Sequence, residues 1–430
     1  MLSKRPMSEL SSLSRPALTD LGQKLEARYA AFKARGLSLD MTRGKPSPEQ
    51  LDLAVDLWRS APGSFVAKDG TDGRNYGGLD GLPEMKEIFA ALFDAPAAQV
   101  IVGGNSSLQI MHDTVVRAVT HGVPGGSEPW GKLPKVRFLC PAPGYDRHFA
   151  ICEHFGIEML NIELGADGPN MDQVESLVAA DPTIKGMWCV PKYVNPTGIT
   201  FSDRVVDRLA AMKTAAPDFR LMWDNAYAIH DLYAETDPLK NILTACKAAG
   251  NENRAITFAS TSKVSFAGSG ISAMASSPAN VADAKKHLGF QTIGPDKLNQ
   301  LRHVAFFKDY QGMLRHMQRH AEILRPKFEA VTDIFQAELG GKGIATWTKP
   351  RGGYFISLDT LDGCAKEVVS LGNQAGVKLT AAGATFPYGK DPRDRNIRVA
   401  PSLPPLDQIK VAMEIVCVCV GLASVRKLLA

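Results

Sequence analysis

Five short runs constrain this chain more than anything else in it: VRFLCP (136–141), IKGMWCVP (184–191), FRLMWDN (219–225), RAITFAS (254–260) and ISAMAS (271–276). Each has the length of a strand and is rich in β-branched or aromatic residues. None alternates polar with apolar, so each must be covered on both faces. Such strands, separated by helical stretches, predict a mostly parallel sheet with helices packed on either side. QVIVGG (99–104) reads as a shorter strand of the same kind. It lies between two helix candidates, PEMKEIFAALF (83–93) and SSLQIMHDTVVRAVTHG (106–122).

The flanks read differently. Residues 17–36 have helical spacing and end at a glycine. A charged helical stretch is expected over 298–340. After it, ATWTKPRGGYFISLD, a helix, NIRVAPS and a last helix read as a small α+β unit. The expected class is therefore α/β, with a large domain over 61–305 and a smaller one over 306–430 that also draws on residues 1–60. With 430 residues, 45% of them hydrophobic, the chain can bury a core of that size. The apolar run Ile415–Val425 is shorter than the roughly 20 residues a bilayer requires, so it is expected as a buried helix.

Charge and cysteines exclude several functions. Basic residues number 49 and acidic 45, a balance of +4 with no basic block, so neither nucleic acid nor a membrane is expected as a partner. The N-terminal MLSKRPMSELSSLSRPALTD has no apolar centre and does not read as a signal peptide. Seven scattered cysteines without a C-x-x-C suit a reduced cytoplasmic protein. His316 and His320 stand four apart, but without H-E-x-x-H they read as a solvated helix face, and no metal is expected.

The motif STSK (260–263) admits two readings. Ser-x-x-Lys is the nucleophile motif of penicillin-binding enzymes, but its companions S-D-N and K-T-G do not occur. GSGISA (268–273) matches G-x-G-x-x-A, yet a strand-like run follows it where a dinucleotide site needs a helix, so it reads as a flexible turn. The alternative for STSK is a lysine that condenses with a carbonyl cofactor. Three more segments follow strand-like runs, where open α/β sheets bind ligands: GGNSS (103–107), NPTG (195–198) and DNAY (224–227). A Gly/Ser turn opening a helix suits a phosphate. Asp224 suits a protonated pyridine nitrogen. Asn195 and Tyr227 can hydrogen-bond a phenolate, and Lys263 suits an aldehyde. Those four groups together belong to pyridoxal 5′-phosphate (PLP).

With NYGGLDGLPEMKEIFA, GGNSSLQIMHD, PAPGYDRHF, PKYVNPTG, WDNAYAIHDL and STSKVSFAGSG, the chain resembles the class I aminotransferases, fold-type I PLP enzymes, from about residue 40 onward. It is most similar to an atypical bacterial aspartate aminotransferase group related to the effector domains of MocR-type regulators. The resemblance implies Lys263 as the internal-aldimine lysine and proton shuttle, Asp224 on the pyridine nitrogen, and Asn195 and Tyr227 on the ring oxygen. It implies Tyr145 stacked on the ring, with Ser106, Ser107, Ser260 and Ser262 around the phosphate. Tyr76 would reach the phosphate from a neighbouring subunit, which makes a homodimer the working unit, with residues 1–60 adding dimer contacts. Arg398 would clamp the substrate α-carboxylate and Gly44 would lie beside it. Lys297, with Arg302 and Arg43 as rivals, would meet a side-chain carboxylate; taken singly, each reads more readily as a surface charge than as a ligand. Typical members place a phosphate-binding arginine where this chain has Ile271. The implied reaction is ping-pong transamination between aspartate and 2-oxoglutarate. Aromatic, branched-chain or 2-aminoadipate donors are the alternatives. A regulatory effector domain would need a DNA-binding module, and only about 40 residues precede RGKP.

Overall fold

A computed structural model describes residues 10–59 and 63–430. Its centre is an eight-stranded sheet. In chain order the strands are β1 (Val100–Val102), β2 (Arg137–Ala142), β3 (Glu158–Gly165), β4 (Gly168–Pro169), β5 (Ile184–Cys189), β6 (Arg220–Asp224), β7 (Ala255–Ser260) and β8 (Ser272–Ser276). Across the sheet they run β1-β8-β7-β6-β5-β2-β3-β4. Strands β3, β2, β5, β6 and β7 are parallel. Strand β8 is antiparallel to both β7 and β1, so the sheet is mixed at that end. Each expected apolar run became a strand, and β5 to β8 are buried at nearly every position. Separate apolar clusters line the two faces, one around Leu139 and Leu221, the other around Phe138 and Met222. Adjacent residues on β2 and on β6 thus point to opposite covered faces, as the period of two requires.

Two features depart from the sequence reading. Strand β3 carries alternating burial and its run EMLNIELG is half polar, so it does not stand out as an apolar run. The charged stretch after residue 297 is two helices, Lys297–Phe307 and Tyr310–Leu339, not one. Lys308 takes a left-handed φ of 68° between them, and Asp309 caps the second by accepting from the Gly312 N–H at 2.7 Å.

The long helix Tyr310–Leu339 ties the two halves of the molecule. Its Met313 and Met317 pack with Met85, Val102 and Ile271 beside the sheet. Its Leu324, Phe328, Val331 and Phe335 pack with the C-terminal helix Leu406–Leu429 and with a three-stranded antiparallel sheet. That sheet orders β9 (Ala345–Trp347), β10 (Ile356–Thr360) and β11 (Asn396–Val399). Among the described residues, Leu406–Leu429 is the one helix apolar and long enough to cross a membrane, and most of its apolar length is buried inside the protein. It packs against the helices Arg15–Lys33, Tyr310–Leu339 and Ala365–Gln374. Enclosure on several sides explains why Ile415 to Val425 show no polar face. Burying each such Val, Ile or Leu contributes roughly 1.5–3 kcal/mol. Residues 1–9, part of the segment read as lacking a signal peptide, lie outside the described residues.

Candidate active site

The parallel strands place four loops on one edge of the sheet. Asp224 is the last residue of β6 and Ser260 the last of β7. GGNSS follows β1 and opens the helix Ser107–His121. NPTG follows β5 by a few residues, and Gly198 takes a φ of 72° where an added Cβ would run into Pro350. A side chain there would be strained twice over.

Asp224 is buried, and its two oxygens differ. Oδ2 lies 3.0 Å from Nε2 of His148, while Oδ1 is buried without a hydrogen-bond partner. His148 is itself held by stacking on Trp188, with centroids 4.3 Å apart and planes 9° from parallel. Tyr145 stands edge-on to His148 at 4.9 Å. Burial and the nearby Asp224 charge push the Tyr145 phenol up to about 12, so it stays protonated. Burial, then Tyr145 and Asp224, raise the Tyr227 phenol in the same direction.

Lys263 Nζ sits 5.3 Å from the centre of the Tyr227 ring. Burial lowers the lysine pKa, and the field of Asp224 opposes that shift. The serines cluster beside it. Ser260 Oγ donates to Ser262 Oγ at 3.0 Å, and Ser262 Oγ donates to the Asn105 carbonyl at 3.2 Å. Ser106 is the N-cap of Ser107–His121 but makes no side-chain cap bond, so the first-turn N–H groups of that helix receive no side-chain cap from it. Ile271 is buried in an apolar cluster and offers no charge. The GSG turn is pinned by Asn299, whose amide donates to the carbonyls of Ser269 and Gly270 at 3.1 Å each.

Arg398, on β11, reaches the same pocket. Its Nη1 donates to Asp146 at 3.0 Å and to Asn195 Oδ1 at 3.4 Å. Its guanidinium lies 4.9 Å from the centre of the Phe355 ring, and its Nε is buried without a partner. Gly44 is pressed on the same ring: a Cβ there would collide with the Phe355 ring.

The structure thus brings Lys263, Asp224, Tyr227, Tyr145, Asn195 and Arg398 together, with Ser106, Ser107, Ser260 and Ser262 at the rim. Tyr76 stands apart, 80% exposed. Lys297 is buried, not a surface charge, and its Nζ donates to the Gly77 carbonyl at 2.8 Å. Arg302 lies over Trp58, 4.7 Å from its ring centre, and Arg43 is exposed. His316 and His320 are also corrected. Both are buried, because the helix face they share packs on the lysine loop. His148, Asp146 and Phe355 were not singled out in the sequence. The one available signal for His148 was its place three residues after Tyr145, one helical turn.

A mostly parallel sheet whose strand ends gather a buried carboxylate, a lysine and an arginine from a second sheet is the architecture of fold-type I aminotransferases. The chain belongs to the family described as aspartate aminotransferase, which matches residues 13–430. An aspartate aminotransferase from Corynebacterium glutamicum is 47% identical over 403 residues, 94% of this chain and 93% of that one. The crystal structure of an aspartate transaminase from the same species superposes with a TM-score of 0.96 at 45% identity, covering 98% of this chain and 100% of that chain. The α-aminoadipate aminotransferase of Thermus thermophilus has a TM-score of 0.71 at 19% identity, with 94% and 98% covered, which speaks to the fold alone. This chain is an aminotransferase.

Proposed function

We propose that the chain is a PLP-dependent aminotransferase that exchanges an amino group between L-aspartate and 2-oxoglutarate. The observation that carries the cofactor is Asp224 Oδ1, a buried acceptor with no donor. Leaving such a group open costs about 1–3 kcal/mol. A protonated pyridine nitrogen is a donor that would satisfy it, and His148 fixes the other oxygen so that Oδ1 is the one presented. The remaining residues suit the rest of the ligand. Lys263 would hold the aldehyde carbon, Asn195 and Tyr227 the ring oxygen, and Tyr145 the ring face. Ser106, Ser107, Ser260 and Ser262, with the helix N-terminus, would hold the phosphate where Ile271 cannot. The solved Thermus thermophilus relative of the same fold is a complex with N-(5′-phosphopyridoxyl)-L-leucine.

When bound, the cofactor supplies an electron sink for the charge left as the α-proton departs. The protein's own groups do the rest. Arg398 takes the substrate α-carboxylate through its unpartnered Nε edge, beside Gly44, while Asp146 and Phe355 keep the guanidinium plane fixed. Lys263, its pKa lowered by burial, holds an amine able to accept the α-proton near neutral pH and return it. For a side-chain carboxylate we favour Lys297, which spends one N–H on Gly77 and keeps two donors. Aspartate as the donor is supported by the name of the Corynebacterium glutamicum relative.

We further infer a homodimer in the cytoplasm. Tyr76 (80% exposed), Phe290 (88%) and Ile293 (64%) are large apolar groups on the surface, and a second copy would cover them. All seven cysteines are buried and free, which suits a reducing compartment. The buried Ile271 supports a place in the atypical group related to MocR-type effector domains.

The test is optical. The purified protein with PLP is expected to absorb in the visible, and L-aspartate is expected to shift that band and release oxaloacetate. A band that ignores aspartate but responds to another amino acid would move the specificity and keep the chemistry. A protein that never takes up PLP would overturn the reading.

A further inference from the structure

The face of the lysine loop turned away from the pocket is held by a buried polar network. Gln50, in the short helix Pro48–Asp52, is fully buried, and its Oε1 accepts from the Ser47 N–H at 3.1 Å. That contact fixes which end of the amide is which. Its Nε2 then faces two partners, Tyr354 OH and His320 Nδ1, each at 3.0 Å. Having used its acceptor, Gln50 must donate to both. His320 Nδ1 is therefore an acceptor, and the neutral ring carries its proton on Nε2, which lies 3.0 Å from His316 Nε2. Tyr354, receiving from Gln50, is free to donate, and its hydroxyl reaches the Lys263 carbonyl at 3.3 Å. His316 Nε2 lies 2.8 Å from the next carbonyl, that of Val264.

Tyr354 is joined in sequence to Phe355, the ring beneath Arg398. Two consecutive residues therefore touch the backbone of the lysine and the side chain of the carboxylate-binding arginine. A lysine that must leave one bond, move a proton and return depends on its backbone staying still. Its side chain has four rotatable bonds, so a tilt of the peptide displaces Nζ by more than it displaces Cα.

We infer that Tyr354, oriented by Gln50, is a positioning residue for Lys263 and links the seating of Arg398 to the placement of the lysine amine. The inference rests on the proposed role of Lys263. An alternative role is purely structural: the network would satisfy buried polar groups and stabilise the fold without setting the lysine.

The experiment uses the full-length chain with Tyr354→Phe, which keeps the ring and removes one hydroxyl. In the cofactor-free protein, amide exchange of the peptide spanning 261–266 is expected to speed up about tenfold, since local opening follows the bonds that hold a loop. In the PLP-loaded protein, kcat is expected to fall about tenfold while KM for the amino acid changes by no more than about twofold. Gln50→Met, which removes both donors, is expected to act in the same direction, and it stands in should Tyr354→Phe fail to fold. A lowered melting temperature with kcat and loop exchange unchanged in both variants would assign the network to stability alone and overturn the inference. Failure of the wild-type protein to take up PLP would instead overturn the proposed function, and the exchange result in the cofactor-free protein would still stand.

Discussion

The loop 260–265 has two sides, and they are built from different chemistry. On the pocket side, Ser260 and Ser262 bond to one another and to the Asn105 carbonyl, and both are partly open to solvent. On the opposite side, Thr261 and Ser265 are buried. Thr261 Oγ1 accepts from the Ile271 N–H at 2.9 Å, and Ser265 Oγ lies 2.8 Å from His303 Nε2. His316 and Tyr354 reach the carbonyls of Val264 and Lys263 between them. The pocket side keeps polar groups available to a ligand, while the other side spends its polar groups on the protein. A short loop can therefore be fixed in place and reactive at once.

The sharpest way to break this comparison is to remove the group that only the pocket side presents. Lys263→Ala is expected to keep the fold and to lower the rate of amino transfer by at least about 10⁴-fold, the upper range for losing a positioned acid–base group. Rapid-mixing kinetics with L-aspartate measure it. Wild-type-like turnover would remove Lys263 from the chemistry. Asp224→Asn is expected to follow at about a hundredfold or more, with PLP bound more weakly, because the amide cannot supply the charge that keeps a pyridine nitrogen protonated.

The same asymmetry explains what the sequence disclosed. The strands were legible because a run such as AITFAS, apolar on both faces, has few other ways to fold. Lys263, Asp224 and Asn195 were legible because each ends or follows such a run. The direction of ISAMAS was not, since a period of two is the same read either way along the sheet. His316 and His320 were misread for a related reason. Their neighbours Arg315 and Arg319 are charged, and composition alone does not say which face of a helix turns inward. The tertiary packing of Tyr310–Leu339 on the lysine loop decides that. Gln50 and Tyr354 lie some 300 residues apart in sequence, and no local pattern predicts their contact.

The buried side makes its own prediction, smaller and on stability. Burial, with the positive fields of His316 and Arg319, pulls His320 down to about 3, and burial pulls His303 down to about 4. Both start from an ordinary 6.5 in the unfolded chain. The folded state refuses protons that the unfolded state accepts, so their share of stability is intact above pH 6.5. It is lost as pH falls from 6.5 toward the folded values. Between pH 6.5 and 5 the loss is on the order of 2 kcal/mol per histidine. Urea midpoints at pH 7 and pH 5 test this. His303→Asn is expected to flatten part of the slope, and equal midpoints at the two pH values in the wild-type protein would show that these rings do not stay neutral.

The smallest effect belongs to a single serine on the pocket side. Ser262→Ala removes one hydroxyl from the proposed phosphate site, where Ile271 stands at the position for which the family resemblance implies an arginine. A hydrogen bond to a charged group contributes about 1.5–3 kcal/mol, so PLP affinity is expected to fall about ten- to a hundredfold. The fold should be untouched, because Ser262 Oγ bonds only the Asn105 carbonyl and the Ser260 hydroxyl, at a rim partly open to solvent. Ser265→Ala, on the other side, is expected to do the reverse. It should lower the melting temperature, since His303 Nε2 would lose its close partner in a buried site, and leave PLP affinity nearly unchanged. Equilibrium titration of PLP against both variants, beside their melting curves, separates the two roles. If the two serines gave the same pair of results, the division of the loop into a ligand side and a protein side would fail.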